Sequence, residues 1–518
     1  MLLLLAIALV AGLAQAVSIA APWDGQPHWW LQIVSLAVLA WLVQQVSSWK
    51  QAALVGWAFG TAWLTGTFWW LYISMHVYGG LAAPLTAIAV VGLGAFLASY
   101  YAAACAVFAA LDRQLLVLRA LVFASVWLLA ELLRVTWFTG FPWGAGGYAH
   151  VDGPLAFMAP WIGVHGIGFV AALLAFALSL LSRREMLRSL PYWATIAGAA
   201  AVLAACNLSA VPAQVAASQP RLTVALLQGN IPQDEKFQGG TGIPIALDWY
   251  GSQLKQANAS LVVAPETAIP TLPQQLPAGY FEGVAATFLQ GQRAALIGIP
   301  LGDMQEGYTN SAIGLKPGAP LYRFDKHHLV PFGEFIPPFF KWFTRMMNIP
   351  LGDFNRGPVG QPSFEWRGQR LAPNICYEDL FGEELGANFA DSATAPTIFV
   401  NISNIAWFGD SLAIDQHLQI SRMRALEFER PMIRATNTGA TVIIDHLGRV
   451  THSLPRLTRG VLMGDVEGRT AITPYAWWVS RAGLWPLWLT ALLVVTGAAW
   501  RQRISARPSA QAGQDALR

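Results

Sequence analysis

The chain has 518 residues, room for more than one domain; 55% are hydrophobic and only 12% charged, about half the usual soluble share. A net charge of +3 excludes the strongly basic balance of a nucleic-acid binder, and three cysteines, Cys105, Cys206 and Cys376, cannot build a disulfide framework. Residues 1–210 hold 12 of the 61 Asp, Glu, Lys and Arg residues, and none lies between Lys50 and Asp112, so lipid is the solvent of that half.

Apolar runs of spanning length occupy 1–21, 29–47, 52–75, 83–111, 117–136, 160–182 and 190–209, with an eighth at 482–500. A helix crosses hydrocarbon in about 20 apolar residues. Ala14-Gln15-Ala16 resembles a signal-peptide cleavage site, but no basic segment precedes it, so the first run reads as a retained helix. Glu131 is the main intramembrane charge, with Arg134 one turn later as its expected partner. Cys105 and Cys206 lie in apolar runs and read as small buried hydrophobes. Lys50, Arg113, Arg119, Arg183, Arg184 and Arg188 fall in alternate loops, on the side that also holds Arg501, Arg503 and Arg507; the opposite short loops contain only Arg134. By the positive-inside rule, eight spans then leave both termini in the cytoplasm. The expected domains are a membrane domain over 1–210 with about seven helices, an outer-face domain over 220–470, a spanning helix over 480–502 and a cytoplasmic tail over 503–518.

Between the seventh and eighth runs, short β-branched stretches recur at 222–228, 261–264, 294–299, 397–403 and 441–445, alternating with helical patterns at 245–258, 280–290 and 412–428. Strands buried on both faces and interleaved with helices indicate a layered α/β domain. Glu266 follows the buried strand LVVA, where α/β folds carry working groups. Lys326 precedes the apolar, turn-rich LVPFGEFIP, and Glu334 lies eight residues after it as a second carboxylate. IPPFFKWFTRMMNIP (336–350) sets Phe339, Phe340, Trp342 and Phe343 beside Lys341 and Arg345, a composition suited to the headgroup boundary and equally to a core. Cys376 follows the strand-like LAPNI and precedes Tyr377-Glu378-Asp379. A thiol at a sharp strand-to-helix turn is exposed while backbone amides, Tyr377's among them, converge on a substrate oxygen. Carboxylate, amine and thiol together suit acyl transfer through a thioester: the thiol attacks, the carboxylate takes its proton and the ammonium stabilises the oxyanion. Arg424, Glu427 and Arg430 read as structural ion-pair partners at i, i+3 spacing.

PET (265–267), DKHHLVPFGE (325–334) and ICYED (375–379) closely resemble the nitrilase superfamily. The apolar segments around them narrow the likeness to its membrane-embedded branch, the apolipoprotein N-acyltransferases. FPWG (141–144), NISNIAWFGDS (401–411) and the string from Gln416 to Gly439 extend it over nearly the whole chain. The resemblance implies an α-β-β-α sandwich, which periodicity alone does not separate from a doubly wound sheet. It implies Glu266, Lys326 and Cys376 as catalytic residues, supported by Glu334, Tyr377 and Glu378. Phe237 stands where the family commonly has a tryptophan near the site mouth, so an aromatic surface is kept and an indole N–H lost. The implied reaction moves an acyl chain from a membrane phospholipid, through a thioester on Cys376, to the α-amine of a diacylated apolipoprotein. The expected setting is the bacterial inner membrane with the catalytic domain in the periplasm, as a monomer without cofactor, metal or nucleic acid. Phe237, Phe339, Phe340, Trp342 and Phe343 are then the expected path for lipid. A membrane-tethered amidase would keep the chemistry with water as acceptor, but needs no seven preceding spans. A scaffold or transporter would leave Glu266, Lys326 and Cys376 without a reason to coexist.

Overall fold

Apolar helices and buried strands segregate into two compact units in the computed structural model, which describes residues 1–111, 114–182, 220–336 and 354–506. The first unit draws on residues 1–69, 88–210 and 484–518, the second on 70–87 and 211–483.

The first unit is helical: α1 (Leu2–Val17), α2 (Trp29–Gln45), α3 (Trp49–Phe68), α4 (Ala83–Ala110, from Ile88 onward), α5 (Leu116–Thr136) and α6 (Ala159–Ser179), with α12 (Trp485–Ala506) near the C-terminus. Small residues let these helices approach closely. A Cβ on Gly56 of α3 would stand 2.6 Å from the Cys105 sulfur of α4, which makes Cys105 a packing residue, as its apolar surroundings imply. Among the described residues three stretches, Ala83–Ala110, Leu116–Thr139 and Ala156–Ser179, are long and apolar enough to cross a membrane, and a fourth if Pro474–Ala482 and Trp485–Ser505 form one broken span. α1 and α2 are apolar but shorter, at 16 and 17 residues. The run at 190–209 and Cys206 lie outside the described residues. The apolar run at 52–75 does not stay whole: α3 ends at Phe68, and Trp70 begins a segment that packs in the second unit. Arg134 does not pair with Glu131. Its guanidinium donates to the carbonyls of Phe141 and Trp143 at 3.1 and 2.6 Å, over the Trp63 ring. Glu131 instead accepts from the Gly146 amide at 3.1 Å and lies 3.6 Å from His165 Nδ1. The loop after α5 offers carbonyl acceptors to the longer guanidinium, and those acceptors decide the pairing.

The second unit is four-layered. One sheet has the order β12-β1-β2-β3-β4-β5, built from β1 (Arg221–Gln228), β2 (Leu261–Ala264), β3 (Ala294–Asp303), β4 (Gly307–Leu315), β5 (Tyr322–Asp325) and β12 (Gly460–Glu467). The other runs β11-β10-β9-β8-β7-β6, from β6 (Phe364–Trp366), β7 (Gln369–Ile375), β8 (Ile398–Ser403), β9 (Met432–Thr436), β10 (Val442–Ile444) and β11 (Val450–Ser453). In each sheet three strands are parallel, β1-β2-β3 and β7-β8-β9, and their C-terminal ends carry the loops that matter below. Leu222, Val224, Val263, Ile375, Val400 and Ile433 meet between the sheets. Each such side chain contributes about 1.5–3 kcal/mol on burial, and their presence on both sheets is what closes the sandwich. α7 (Gly242–Gln256) and α8 (Tyr280–Leu289) cover the outer face of the first sheet. α10 (Leu412–Phe428) and α11 (Pro474–Ala482), with the short α9 (Gly382–Gly386), cover the second. The α-β-β-α order is the one the resemblance implies.

Candidate active site

Glu266 stands one residue beyond β2 and Pro265, in a turn closed by the Ala268 amide on the Pro265 carbonyl at 3.1 Å. β3 presses directly on this turn: a Cβ on Gly298 would lie 2.2 Å from the Pro265 oxygen and 2.7 Å from Glu266 Cα. Only glycine permits that approach. The carboxylate is 7% exposed and fully engaged. Oε1 accepts from Asn310 Nδ2 at 2.7 Å and Lys326 Nζ at 3.3 Å, and Oε2 from the Asn404 amide at 2.7 Å.

Lys326 follows β5, its amide donating to the Asn310 carbonyl at 2.8 Å. Its Nζ, 1% exposed, also meets the Glu334 carboxylate at 2.9 Å. Glu334 sits in the turn after Val330, whose amide donates to Oε2 at 2.8 Å, and Asn310 Nδ2 reaches Glu334 as well at 2.7 Å. Two carboxylates therefore share one ammonium and one amide. Burial acts to raise the Glu266 carboxyl, but Lys326, then Asn310, outweigh it and hold the group below its ordinary value. Burial likewise acts to lower Lys326, and Glu266 and Glu334 more than reverse it. Glu266 is thereby held as a carboxylate and Lys326 as an ammonium.

Cys376 directly follows β7 and opens a 3-10 turn, Cys376–Leu380, with φ +54°, a left-handed conformation that costs a non-glycine residue about 1–3 kcal/mol. Several groups hold it there. Asn401 Nδ2 and His417 Nε2 both reach the Cys376 carbonyl at 3.2 Å. Arg434 Nη2 donates to His417 Nδ1 at 2.7 Å, which leaves the proton on Nε2, shared between that carbonyl and Asp379 Oδ1 at 2.8 Å. Burial and then Arg434 push His417 below its ordinary value, consistent with a neutral ring. Glu378 joins this turn to the Lys326 loop: it accepts from the Ile375 amide at 2.6 Å and from the His327 and His328 amides at 2.7 and 3.2 Å. Burial raises its carboxyl to about 8 against those amides. The Cys376 thiol is half-buried and pushed up to about 12, first by burial and then by the Glu266 charge, with Lys326 and the Ser403 hydroxyl opposing.

Glu266, Lys326, Glu334, Glu378 and Cys376, from three separate stretches of sequence, thus form one electrostatically coupled site. The Tyr377 side chain packs instead among the rings of His328 and Phe381, at 5.6 and 5.4 Å. Phe237 is half-buried, its ring centroid 5.8 Å from Lys236 Nζ. Phe339, Phe340, Trp342 and Phe343 lie outside the described residues. Arg424 pairs with Glu427 at 3.0 Å as expected, but Arg430 turns to the carbonyls of Pro396 and Ala471, because it lies past the helix end. Sequence reasoning missed Asn310, Asn404, Lys236 and the Asp379–His417–Arg434 network. Asn404 lies inside NISNIAWFGDS and Lys236 directly precedes Phe237, but no spacing distinguishes a buried amide or amine from a surface one. Among the described residues no group of three or more His, Cys, Asp or Glu is arranged to hold a metal ion.

Two family models match this chain. The model for the apolipoprotein N-acyltransferase N-terminal domain covers residues 11–177, and that for carbon-nitrogen hydrolase covers 223–475. A protein of Verminephrobacter eiseniae named apolipoprotein N-acyltransferase is 62% identical over 500 residues, covering 92% of both chains. Proteins of the same name from Ralstonia nicotianae and Bordetella bronchiseptica are 48% and 41% identical, over 92% and 96% of this chain and 90% and 97% of theirs.

Proposed function

Because the chain belongs to the apolipoprotein N-acyltransferase family, we propose that Cys376, Glu266 and Lys326 carry out its lipoprotein N-acylation in two half-reactions. The protein is an enzyme that acylates lipoproteins, with phospholipid and lipoprotein as substrates. In the first step Glu266 takes the thiol proton and Sγ attacks the ester carbonyl of a phospholipid. The oxyanion is stabilised by Lys326 Nζ and the Tyr377 amide. The C–O bond breaks, Glu266 returns the proton to the departing lysophospholipid oxygen, and a thioester remains on Cys376. In the second step the α-amine of a diacylglyceryl-cysteine attacks that thioester. Glu266 passes an amine proton to sulfur, and an amide is formed. Glu334 holds Lys326 in place, and Glu378 ties its loop to the nucleophile turn.

What carries this reading is a half-buried thiol on a strained turn, coupled to a buried ammonium held between two carboxylates. The apolar helices support a membrane enzyme. The eight apolar runs support eight spans, and charge asymmetry between loops supports cytoplasmic termini and a periplasmic domain over 220–470 in the bacterial inner membrane. We propose further that Phe237, Phe339, Phe340, Trp342 and Phe343 form the lipid path and that the enzyme works as a monomer. Mass spectrometry of purified protein given phospholipid alone tests the chemistry: an acyl mass on the Cys376 peptide is expected. Its absence would overturn the thioester step. Discharge by water as fast as by a diacylated lipopeptide would favour a hydrolase.

A further inference from the structure

Lys236 is a second amine at this site, and neither half-reaction as written uses it. It lies in the turn after β1, its amide donating to the Pro232 carbonyl at 2.9 Å. The turn is fastened to the site. The Ile231 amide donates to Asn437 Oδ1 at 3.0 Å, and Gln233 Oε1 accepts from Asn404 Nδ2 at 2.9 Å. Asn404 is the residue whose amide holds Glu266 Oε2. Lys236 is 1% exposed, and its Nζ donates to the backbone carbonyl of Glu266 at 3.1 Å, with no carboxylate of the described residues in contact. A buried ammonium lacking an anion is costly, so the neutral amine is favoured. Burial pushes Lys236 down to about 7, with the Glu266 charge first among the opposing causes.

The transfer step needs such a group. An α-amino group ionises near ~8, so at pH 7 the acceptor arrives mostly as an ammonium, which has no lone pair to attack with. Glu266, held low by Lys326, is a poor base toward an ammonium and is already committed to returning a proton to sulfur. We propose that Lys236 is a catalytic residue of the transfer half-reaction: its neutral Nζ takes one proton from the α-ammonium of the acceptor. This role rests on the two-step reading above. The freed amine attacks the thioester carbonyl, so the N–C bond forms and the C–S bond breaks. The second N–H proton passes through Glu266 to Sγ, and Lys236 releases its own proton to solvent. Base and acid are then closely matched, the condition under which general-base catalysis is most effective.

The test is single-turnover transfer from acyl-enzyme preformed with phospholipid, in the parent and in Lys236→Met, to a diacylated lipopeptide at pH 7 and pH 9.5. Both proteins should acquire the acyl mass on Cys376. Transfer by the variant should be slower by roughly 100-fold at pH 7, and the gap should narrow at pH 9.5, where the acceptor amine is already free. Lys236→Arg, which stays charged, should behave like Lys236→Met. Methionine leaves no charge to bury, so the melting temperature should not fall; if it does, Lys236→Gln gives the same comparison. Equal transfer at pH 7, or a gap that does not change with pH, would overturn the role. An absent acyl mass in the parent would instead overturn the two-step reading itself, and this role with it.

Discussion

Cys376 keeps its proton at rest, with burial the largest cause and the Glu266 charge the next, while Lys326 pulls the other way. Alkylation by a small neutral reagent should therefore rise with pH well beyond the ~8.5 of an ordinary thiol. The two charged neighbours predict opposite shifts. Glu266→Gln removes a charge that raises the thiol, so its profile should move to lower pH; Lys326→Met removes one that lowers it, so its profile should move higher. Both variants should nonetheless lose thioester formation, because the proposed proton acceptor and the proposed oxyanion partner are gone. Shifts of the same sign would show that these charges do not act on Sγ. At this scale Glu266, Lys326 and Cys376 were legible because each sits in a distinctive string. Asn310 was not: it lies in β4, a strand that sequence left unread, and its importance comes only from touching both carboxylates.

Two elements set the geometry of those residues. β3 fixes the Glu266 turn through Gly298, so Gly298→Ala should push on backbone rather than on a yielding side chain. The expected cost is about 1–3 kcal/mol in stability, and a displaced Glu266 should slow acylation by roughly 100-fold. Gly239, whose added Cβ would meet nothing within 4 Å, is the control: Gly239→Ala should acylate at the parental rate. α10 fixes the Cys376 turn through His417 and its partners. Asp379 is buried, and although burial acts to raise it, His417 and Arg434 hold its carboxyl below the ordinary value. A depressed folded value contributes stability above the unfolded pKa near ~4, lost as pH falls through the folded one. Asp379→Asn should thus lower the melting temperature at pH 7, leaving Arg434 short of its anion, by an amount equivalent to about 3–5 kcal/mol. The difference from the parent should shrink below about pH 4. A gap independent of pH would exclude an ionised Asp379. The helix over 412–428 was readable from its pattern; its polar interior was not, because buried Gln416, His417, Gln419 and Arg424 leave no apolar stripe.

For the whole molecule, the charge asymmetry between loops predicts sidedness. Cysteines engineered into 240–260 and 450–460 should react with an impermeant reagent from outside, and those at 184–188 and 505–515 should not. Opposite labelling would overturn the positive-inside reading. The division into units was less legible. Residues 70–87 read as the end of one apolar run and the start of another, yet they group with the α/β unit. There Trp70 Nε1 donates to Gln416 Oε1 at 3.0 Å and its ring meets Phe408 at 4.3 Å. An indole N–H needs an acceptor, and hydropathy does not record where the acceptor is.

Sequence by itself determined what depends on composition and local pattern: the apolar helices, the buried strands, the layered α/β domain and the strings that carry Glu266, Lys326 and Cys376, the groups proposed to react, with Glu334 and Glu378 beside two of them. Those features are carried by residues adjacent in the chain, so solvent preference and local strings suffice to find them. Tertiary structure decided what depends on distance: that Asn310 bridges the two carboxylates, that Arg134 binds carbonyls rather than Glu131, that His417 supports the strained turn at Cys376, and that Lys236 lies buried against Glu266. Each of these joins groups from separate loops or strands at hydrogen-bonding range. Such pairings are fixed by how sheets, turns and helices stack, and a side chain's pKa and partners follow from that stacking rather than from its neighbours in sequence.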